Sequence, residues 1–503
     1  MMRKRSGIPR KSIRTERQRH RPITTSMSPS HSFPQTVRRG RSNIFRAGLF
    51  AVLGAAFLGG CATLPEVSRG PRNSQAVRFE DGKGPLTGAQ SAAIIARLKT
   101  SSGESSILDR HVALEQSFVD SPLVVGNRVT LIKDGPATYR AMFAAIRKAK
   151  DHINLETYII EDDEIGRKFS DLLIEKQGQG VQVSVLYDSA GSINTPRAFF
   201  ERLEASGMRT LEFNPINPLA GKNKSWLDHR DHRKLLIVDG RMAFLGGINI
   251  SSVYSGGSAP KAKPVISADG KKKVPWRDTH VQIEGPVVAE YQKLFLDTWE
   301  KQKGEPLTGG HYFPPQTKNA GREIVRAIGS AADEPYSRIY VTLVSAINSA
   351  ETSIYLTNAY FVPDPQLLSA LKEAAQRGVD VRILLPGQTD FWAVFHAGRS
   401  HYTDLLKAGV KVYERQGALL HAKTALIDGV WSCIGSTNLD WRSFVHNNEV
   451  DAVILGDSFA QQMHAMYDDD LKESKVIELK EWRKRSMFLR MKEWSARLWE
   501  YWL

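Results

Sequence analysis

The sequence predicts an α/β protein made of two repeated domains related by a pseudo-twofold, with the functional site at their interface. Three observations carry this. From about Val125 onward, apolar residues at helical spacing alternate with short apolar runs suited to strands. The order of these segments recurs after about 190–200 residues, too long a period for a solenoid and right for a duplicated α/β domain. A single polar device also stands at equivalent places in both halves: H-x-K-x(4)-D, six residues, then G-x-x-N. It occurs at residues 232–249, "HRKLLIVDGRMAFLGGIN", and at residues 421–438, "HAKTALIDGVWSCIGSTN".

Taken in order, "YRAMFAAIRKAKD" is an amphipathic helix and "HINLETYII" the strand after it. "IGRKFSDLLIEKQGQG" is a second helix that ends in glycine, followed by the strand "VQVSVLYD". The later half repeats this as "VSAINSAET", "SIYLTNAYFV", "LLSALKEAAQRG" and "VDVRILLP". Ile153 and Leu155 match Ile354 and Leu356, and Gly180-Val181 matches Gly378-Val379. Each half then has a helix ending near a glycine (Gly207, Gly409), a short strand and the histidine motif. Two insertions distinguish the halves. "INPLAGKNKSWLDHRD" lengthens the approach to His232, and the lysine-rich "GGSAPKAKPVISADGKKKVP" follows Asn249. Such loops either gate a site and bind its substrate or are tolerated surface.

The net charge of +15 is unevenly spread. The first 61 residues hold thirteen Lys and Arg against one acid, Glu16, whereas the other 442 hold 56 basic and 53 acidic groups. The body is therefore nearly neutral and lacks the basic footprint of a nucleic-acid binder. Two cysteines exclude a disulfide framework. Cys433 sits in an apolar run and reads as a buried, inert thiol. Cys61 ends a basic leader whose apolar core, residues 47–58, is short for a membrane span of about 20 residues. Leu58-Gly59-Gly60-Cys61 resembles a bacterial lipobox, which implies an exported protein lipidated at Cys61; an uncleaved signal anchor is the alternative. Both place the body on a membrane, outside the cytoplasm. Met27 offers a start that leaves a leader of ordinary length.

The chemistry follows from strand geometry. Residues i and i+2 share a face, so His232 projects with Lys234 and His421 with Lys423. Asp239 and Asp428 fall at the strand ends, where they can turn back to orient groups. Two such faces about a twofold would gather two histidines, two lysines and two asparagines, Asn249 and Asn438, into one cleft. Zinc wants three or four ligands, and lysine is not a usual one, so no metal is expected. Lysine beside each histidine suits an anion, above all a phosphoryl group. A histidine, with an ordinary pKa near ~6.5, acts as nucleophile or proton donor, and two permit two-step transfer through a phosphohistidine. Coincidence could produce one such motif, but hardly two at equivalent places.

These motifs resemble the HKD signature of the phospholipase D superfamily over roughly residues 125–468, with Gly246-Gly247-Ile248-Asn249 and Gly435-Ser436-Thr437-Asn438 as that family shows. Glu449 in "NNEVDAVI" fits the family's downstream acid, and Asp278 in "WRDTHVQIEG" looks like its counterpart, displaced by the lysine-rich insertion. Within the superfamily, "DHRDHRKLLIVDGRMAFLGGINIS", "TNAYFVPD", "LLHAKTALIDG", "IGSTNLDWRS" and the ending "RMKEWSARLWEYWL" are similar to bacterial cardiolipin synthases. The resemblance implies two phospholipase D-like domains and phosphatidyl transfer between phospholipids, with no metal or cofactor. It favours His232 as nucleophile and His421 as acid/base, although the symmetry of the motifs leaves either assignment open. Lys234, Lys423, Asn249 and Asn438 would hold phosphoryl oxygens, with Ser251 and Ser436 adding hydroxyl contacts unless they are ordinary turn serines. Asp239 and Asp428 complete the motifs, and His229 and His396 read as loop or cleft-wall residues.

The domain expectations are a signal segment with a lipobox-like end over 1–61 and a tether and N-terminal extension over 62–105. The first and second catalytic domains follow over 106–310 and 320–475, and an amphipathic Trp/Arg-rich helix over 476–503. That last segment suits either the interface of an anionic bilayer or packing on its own domain. The expected partners are membrane phospholipids, phosphatidylglycerol foremost, and a membrane surface, without nucleic acid, for a monomer in the bacterial cell envelope. The rivals are hydrolysis of phospholipid to phosphatidic acid, a nuclease built on the same motifs, and a binding scaffold that would not need both motifs intact.

Overall fold

The computed structural model describes residues 64–67, 77–102, 107–216, 228–257, 264–266, 270–316 and 319–503. Cys61, the leader and parts of both insertions lie outside the described residues. From Thr63 to Leu503 the chain forms one compact unit, so its two halves can be treated together.

Both halves have the same sheet order. In the first, Arg209–Phe213, Gln182–Asp188 and His152–Thr157 run parallel, joined by helices as parallel strands must be. His152–Thr157 then pairs antiparallel with Lys234–Val238, followed by Met242–Gly246, His280–Glu284 and Leu123–Ile132. The second half repeats this with Lys411–Arg415, Asp380–Pro386, Ser353–Asn358, Lys423–Ile427, Trp431–Gly435, Asn447–Leu455 and Glu323–Ser330. Leu123–Ile132 and Glu323–Ser330 pair antiparallel and make the two sheets continuous.

The two motif strands are buried at every residue, as expected of strands covered on both faces. Helix starts repeat too. Asp163 accepts from the amides of Ile165 and Gly166, both at 2.9 Å, and Asp364 from Gln366 at 2.8 Å, each capping the helix that follows a parallel strand. One apolar cluster belongs to the first half, around Phe169, Leu173, Val185 and Phe244. A second spans the interface, where Leu235, Leu245, Tyr291 and Phe295 meet Leu426, Ile434, Ile454 and Phe459. The halves are thus held together by a shared core, not by a linker.

Three boundaries differ from expectation. The described part of the segment read as tether and N-terminal extension is folded from Phe79 to Ser102: Phe79–Asp81 pairs with Leu123 and Val124, and Gly88–Ser102 is a helix. Residues 107–119, assigned to the first domain, pack into the core of the second. There Ile107, Leu108 and Val112 join Ile339, Tyr340 and Val344, and the buried Arg326 pairs with Glu115 at 2.9 Å. Even Val67 is fixed, its amide donating to Gln366 at 2.6 Å. The tail, expected as one helix, is two helices, Leu479–Arg483 and Met487–Arg497, then a short turn at Glu500–Trp502. Ser486 breaks the run by capping the second helix, accepting from the Leu489 amide. Among the described residues, no helix is long and apolar enough to cross a membrane.

Candidate active site

Two short main-chain pairings build the site. Arg230–Asp231 runs parallel to Asn447 and Asn448, and the His232 amide donates to the Asn448 carbonyl at 2.9 Å. Leu419–Leu420 runs parallel to Trp276 and Arg277, and the His421 amide donates to the Arg277 carbonyl at 2.7 Å. The next residue on each partner strand is an acid. Glu449, from the second half, therefore stands beside His232, with both carboxylate oxygens 3.0 Å from Nδ1. Asp278, from the first half, stands beside His421, with Oδ2 2.7 Å from Nδ1. Each histidine is supported by the opposite half, so neither half holds a complete site.

A carboxylate at Nδ1 fixes that nitrogen as the donor and leaves Nε2 for chemistry. Both histidines are buried and line one cavity of about 360 Å³ together with Asn249 and Asn438. The lysine ammonium groups donate to the carbonyls of their own motif histidines, and Lys423 Nζ lies 3.1 Å from the ring nitrogens of His421. Lys234 Nζ lies 5.1 Å from the Tyr158 ring centre, a cation–π contact, and the same ring meets His232 edge-on at 5.0 Å.

The two sides differ electrically. Burial, then Lys234 and Lys423, push His232 well below the usual histidine range. Its partner Glu449 is raised to about 7 by burial, against the pull of Lys234. His421 is also lowered, by burial and Lys423, but Asp278 opposes the shift. Burial alone would raise Asp278, yet His421 and Lys423 bring it below the carboxylate range, as in an ion pair. Neutral imidazole is thus favoured at His232, and a proton is better retained at His421. Burial lowers Lys234 to about 7 and Lys423 to about 8.

Not every expected residue is brought into the cavity. Asp239 and Asp428 are hairpin residues, not catalytic ones. With Gly240 and Gly429 they open the three-residue hairpin connections, and all four have φ between 50° and 61°, the left-handed region that Asp-Gly pairs favour. The Asp239 carboxylate accepts from the amides of Lys150, Asp151 and His152, and Asp428 from Glu351, Thr352 and Ser353. They pin the far end of the motif strand, since Val238 pairs with Ile153 whereas Lys234 pairs with Thr157. Ser251 is no substrate contact either, because its hydroxyl donates to Glu161 and accepts from the Val253 amide at 3.3 Å. Ser436 serves Glu449, donating its hydroxyl to that carboxylate. Asn249 lines the cavity and is held by the Ile159 amide at 3.1 Å and the Tyr254 hydroxyl at 3.0 Å. Asn438 lines it with its carbonyl oxygen lacking a partner among the described residues.

His229 lies beside His446, and His396 packs edge-on against Trp392; neither lines this cavity. Cys433 is half-buried, its thiol pushed well up by burial and within 3.5 Å of Asp451. Among the described residues, no group of three His, Cys, Asp or Glu is placed to hold a metal ion. Sequence reading missed Tyr158, Trp276, which is 4.8 Å from His421, and Tyr254, whose hydroxyl is 3.4 Å from the same ring. Tyr158 follows a parallel strand directly, and the carboxyl ends of such strands are where α/β sheets place ligands. That rule would have found it.

Such a fold and site define an enzyme with two histidine motifs in one cleft, suited to transfer at a phosphodiester. Comparison with known proteins agrees. The family described as "Cardiolipin synthase, PLD-like domain" matches residues 142–254 and 343–471. A cardiolipin synthase of Geobacillus kaustophilus is 35% identical over 378 residues, 75% of this chain and 72% of that protein. One from Alkalihalophilus pseudofirmus is 35% identical over 406 residues, 80% and 77% respectively. The crystal structure of phosphatidylserine synthase from Haemophilus influenzae Rd KW20 shares the fold, with a TM-score of 0.59 at 14% identity, covering 77% of this chain and 99% of that one. The chain belongs to the phospholipase D superfamily, within its cardiolipin-synthase-like branch, and is a phosphatidyltransferase of that superfamily.

Proposed function

We propose that this enzyme moves a phosphatidyl group from one phospholipid to the hydroxyl of a second, with phosphatidylglycerol in both roles, through a phosphohistidine on His232. The observation that carries the reading is the unequal pairing of the histidines, with His232 beside a raised carboxyl and His421 beside a lowered one. Nε2 of neutral His232 attacks phosphorus, and the bond to the headgroup oxygen breaks as His421 gives that oxygen its proton. His421, now neutral, takes the proton of the acceptor hydroxyl. The acceptor oxygen attacks phosphorus, the phosphorus–nitrogen bond breaks, and both histidines return to their starting states. Lys234, Lys423, Asn249 and Asn438 stabilise the phosphoryl oxygens throughout.

The enzyme acts as a monomer at a membrane surface of the bacterial cell envelope, reached by export and held through Cys61. A bilayer substrate is supported by the tail, where Met487, Phe488, Met491, Trp494 and Leu498 are exposed while Ala496 packs against Val394 and Ala397. The test is mass spectrometry of lipid products from phosphatidylglycerol, with wild type, His232→Ala and His421→Ala. Cardiolipin from wild type alone is expected. Phosphatidic acid without cardiolipin would make water the acceptor and overturn the transfer reading.

A further inference from the structure

The pseudo-twofold is broken at one cavity position. Four residues after each motif asparagine, the first half has Val253, buried in its own core, and the second has Arg442, which lines the cavity. The positions correspond in sequence, and the residue two after each asparagine accepts from a main-chain amide of the turn that follows. Ser251 accepts there from the Val253 amide, and Asp440 from the Ser443 amide at 2.8 Å. Arg442 is half-buried and, among the described residues, has neither an ion pair nor a hydrogen bond. Of the carboxylates that share the cavity, Asp390 bonds the Tyr360 hydroxyl at 2.6 Å, and Asp440, though it feels the Arg442 charge, accepts in its cap and makes no ion pair with it among the described residues. Beside His421 the cavity is aromatic, lined by Trp276 and Tyr360.

A guanidinium with no hydrogen bond among the described residues, lining a cavity whose two histidines each already have a lysine beside them, is surplus to a single phosphoryl group. Arginine is the residue suited to a planar, paired grip on phosphate oxygens. The transfer proposed above brings two phosphates together: the one being transferred, and the acceptor lipid's own phosphodiester, three carbons from its attacking hydroxyl. Arg442 and both histidines line the same cavity of about 360 Å³. Resting on that reaction, we propose that Arg442 binds the non-reacting phosphodiester of the acceptor and so selects an anionic phospholipid over water or a neutral alcohol.

The test lets one intermediate partition between acceptors. Mixed vesicles of phosphatidylglycerol in dilute ethanol yield cardiolipin and phosphatidylethanol from the same phosphatidyl-enzyme, and ethanol carries no phosphate. In Arg442→Met the cardiolipin-to-phosphatidylethanol ratio should fall about tenfold or more, the scale of one charge-assisted contact. Arg442→Lys, which keeps the charge, should recover most of it. A ratio unchanged in Arg442→Met, whatever the total rate, overturns the proposal. A wild type that makes neither product overturns the transferase reading itself, and this assignment with it.

Discussion

Lys234 and Lys423 are the residues whose charge the environment controls most directly. Both are ordinary strand lysines in the sequence, and burial brings them to about 7 and about 8. A lysine is charged below its pKa, so raising the pH removes the cations proposed to hold the substrate phosphate. kcat/KM should therefore fall on the alkaline side from about pH 7–8, whereas bound phosphate keeps the lysines charged and moves the corresponding limb of kcat higher. Profiles that stay flat to pH 9 would exclude this role. Asp278 and Asp239 give a contrast between acids. Asp278→Asn removes the charge that holds a proton on His421 and should cost about a hundredfold or more in kcat. Asp239→Ala strips three amides of their acceptor and should lower stability by about 2 kcal/mol or more, leaving the pH profile of the folded enzyme as it was. If Asp239→Ala instead shifted that profile, the aspartate would belong to the chemistry after all.

Among the elements, the motif is a hairpin whose two ends do different work. The Asp-Gly turn fixes the far end, and the motif strand, antiparallel to its neighbour, carries histidine and lysine to that neighbour's carboxyl end. Past the hairpin, Gly247 runs so close to Asp278 that a Cβ there would overlap its carboxylate. Gly247→Ala should displace the acid from His421 and lower kcat at least tenfold, with only the ~1–3 kcal/mol loss of an overpacked site. Retained kcat together with an unaltered melting temperature would contradict that packing. The Asp-Gly pair was legible as a turn from residue types alone, because only the left-handed region closes so short a connection. From the sequence, Asp239 and Asp428 are expected to orient groups from the strand ends, and the groups they hold are main-chain amides of the preceding strand and its approach. The Ser486 cap was equally visible, and it explains why 476–503 is not one helix.

For the whole molecule, what matters is the surface that the tail leaves uncovered. Met487, Met491, Trp494 and Leu498 follow one helical stripe, each at least 63% exposed, and the tail from Leu479 onward carries seven basic and three acidic residues. The other face of the same helix packs on Trp392–Ser400, and Leu503 reaches the cavity wall. Both sequence readings of this segment can therefore hold together. Replacing Met491, Trp494 and Leu498 with serine should weaken binding to anionic vesicles about tenfold or more, measured by co-sedimentation. Unchanged binding, with loss of a dimer from solution, would instead assign the stripe to a second copy of the chain.

The sequence by itself determined the duplicated α/β architecture, the histidine–lysine pairs and the cavity asparagines, because period, strand alternation and spacing are local properties. Resemblance to the phospholipase D superfamily singled out Glu449 and Asp278 as the motifs' acids. Tertiary structure alone decided which acid serves which histidine, since that depends on strands more than 140 residues apart lying side by side. Tertiary packing also placed residues 107–119 in the second half, where that half's apolar cluster was open to them. The inequality of the two histidines arises the same way. The motifs are alike in sequence, and the difference comes from what the fold buries beside each of them.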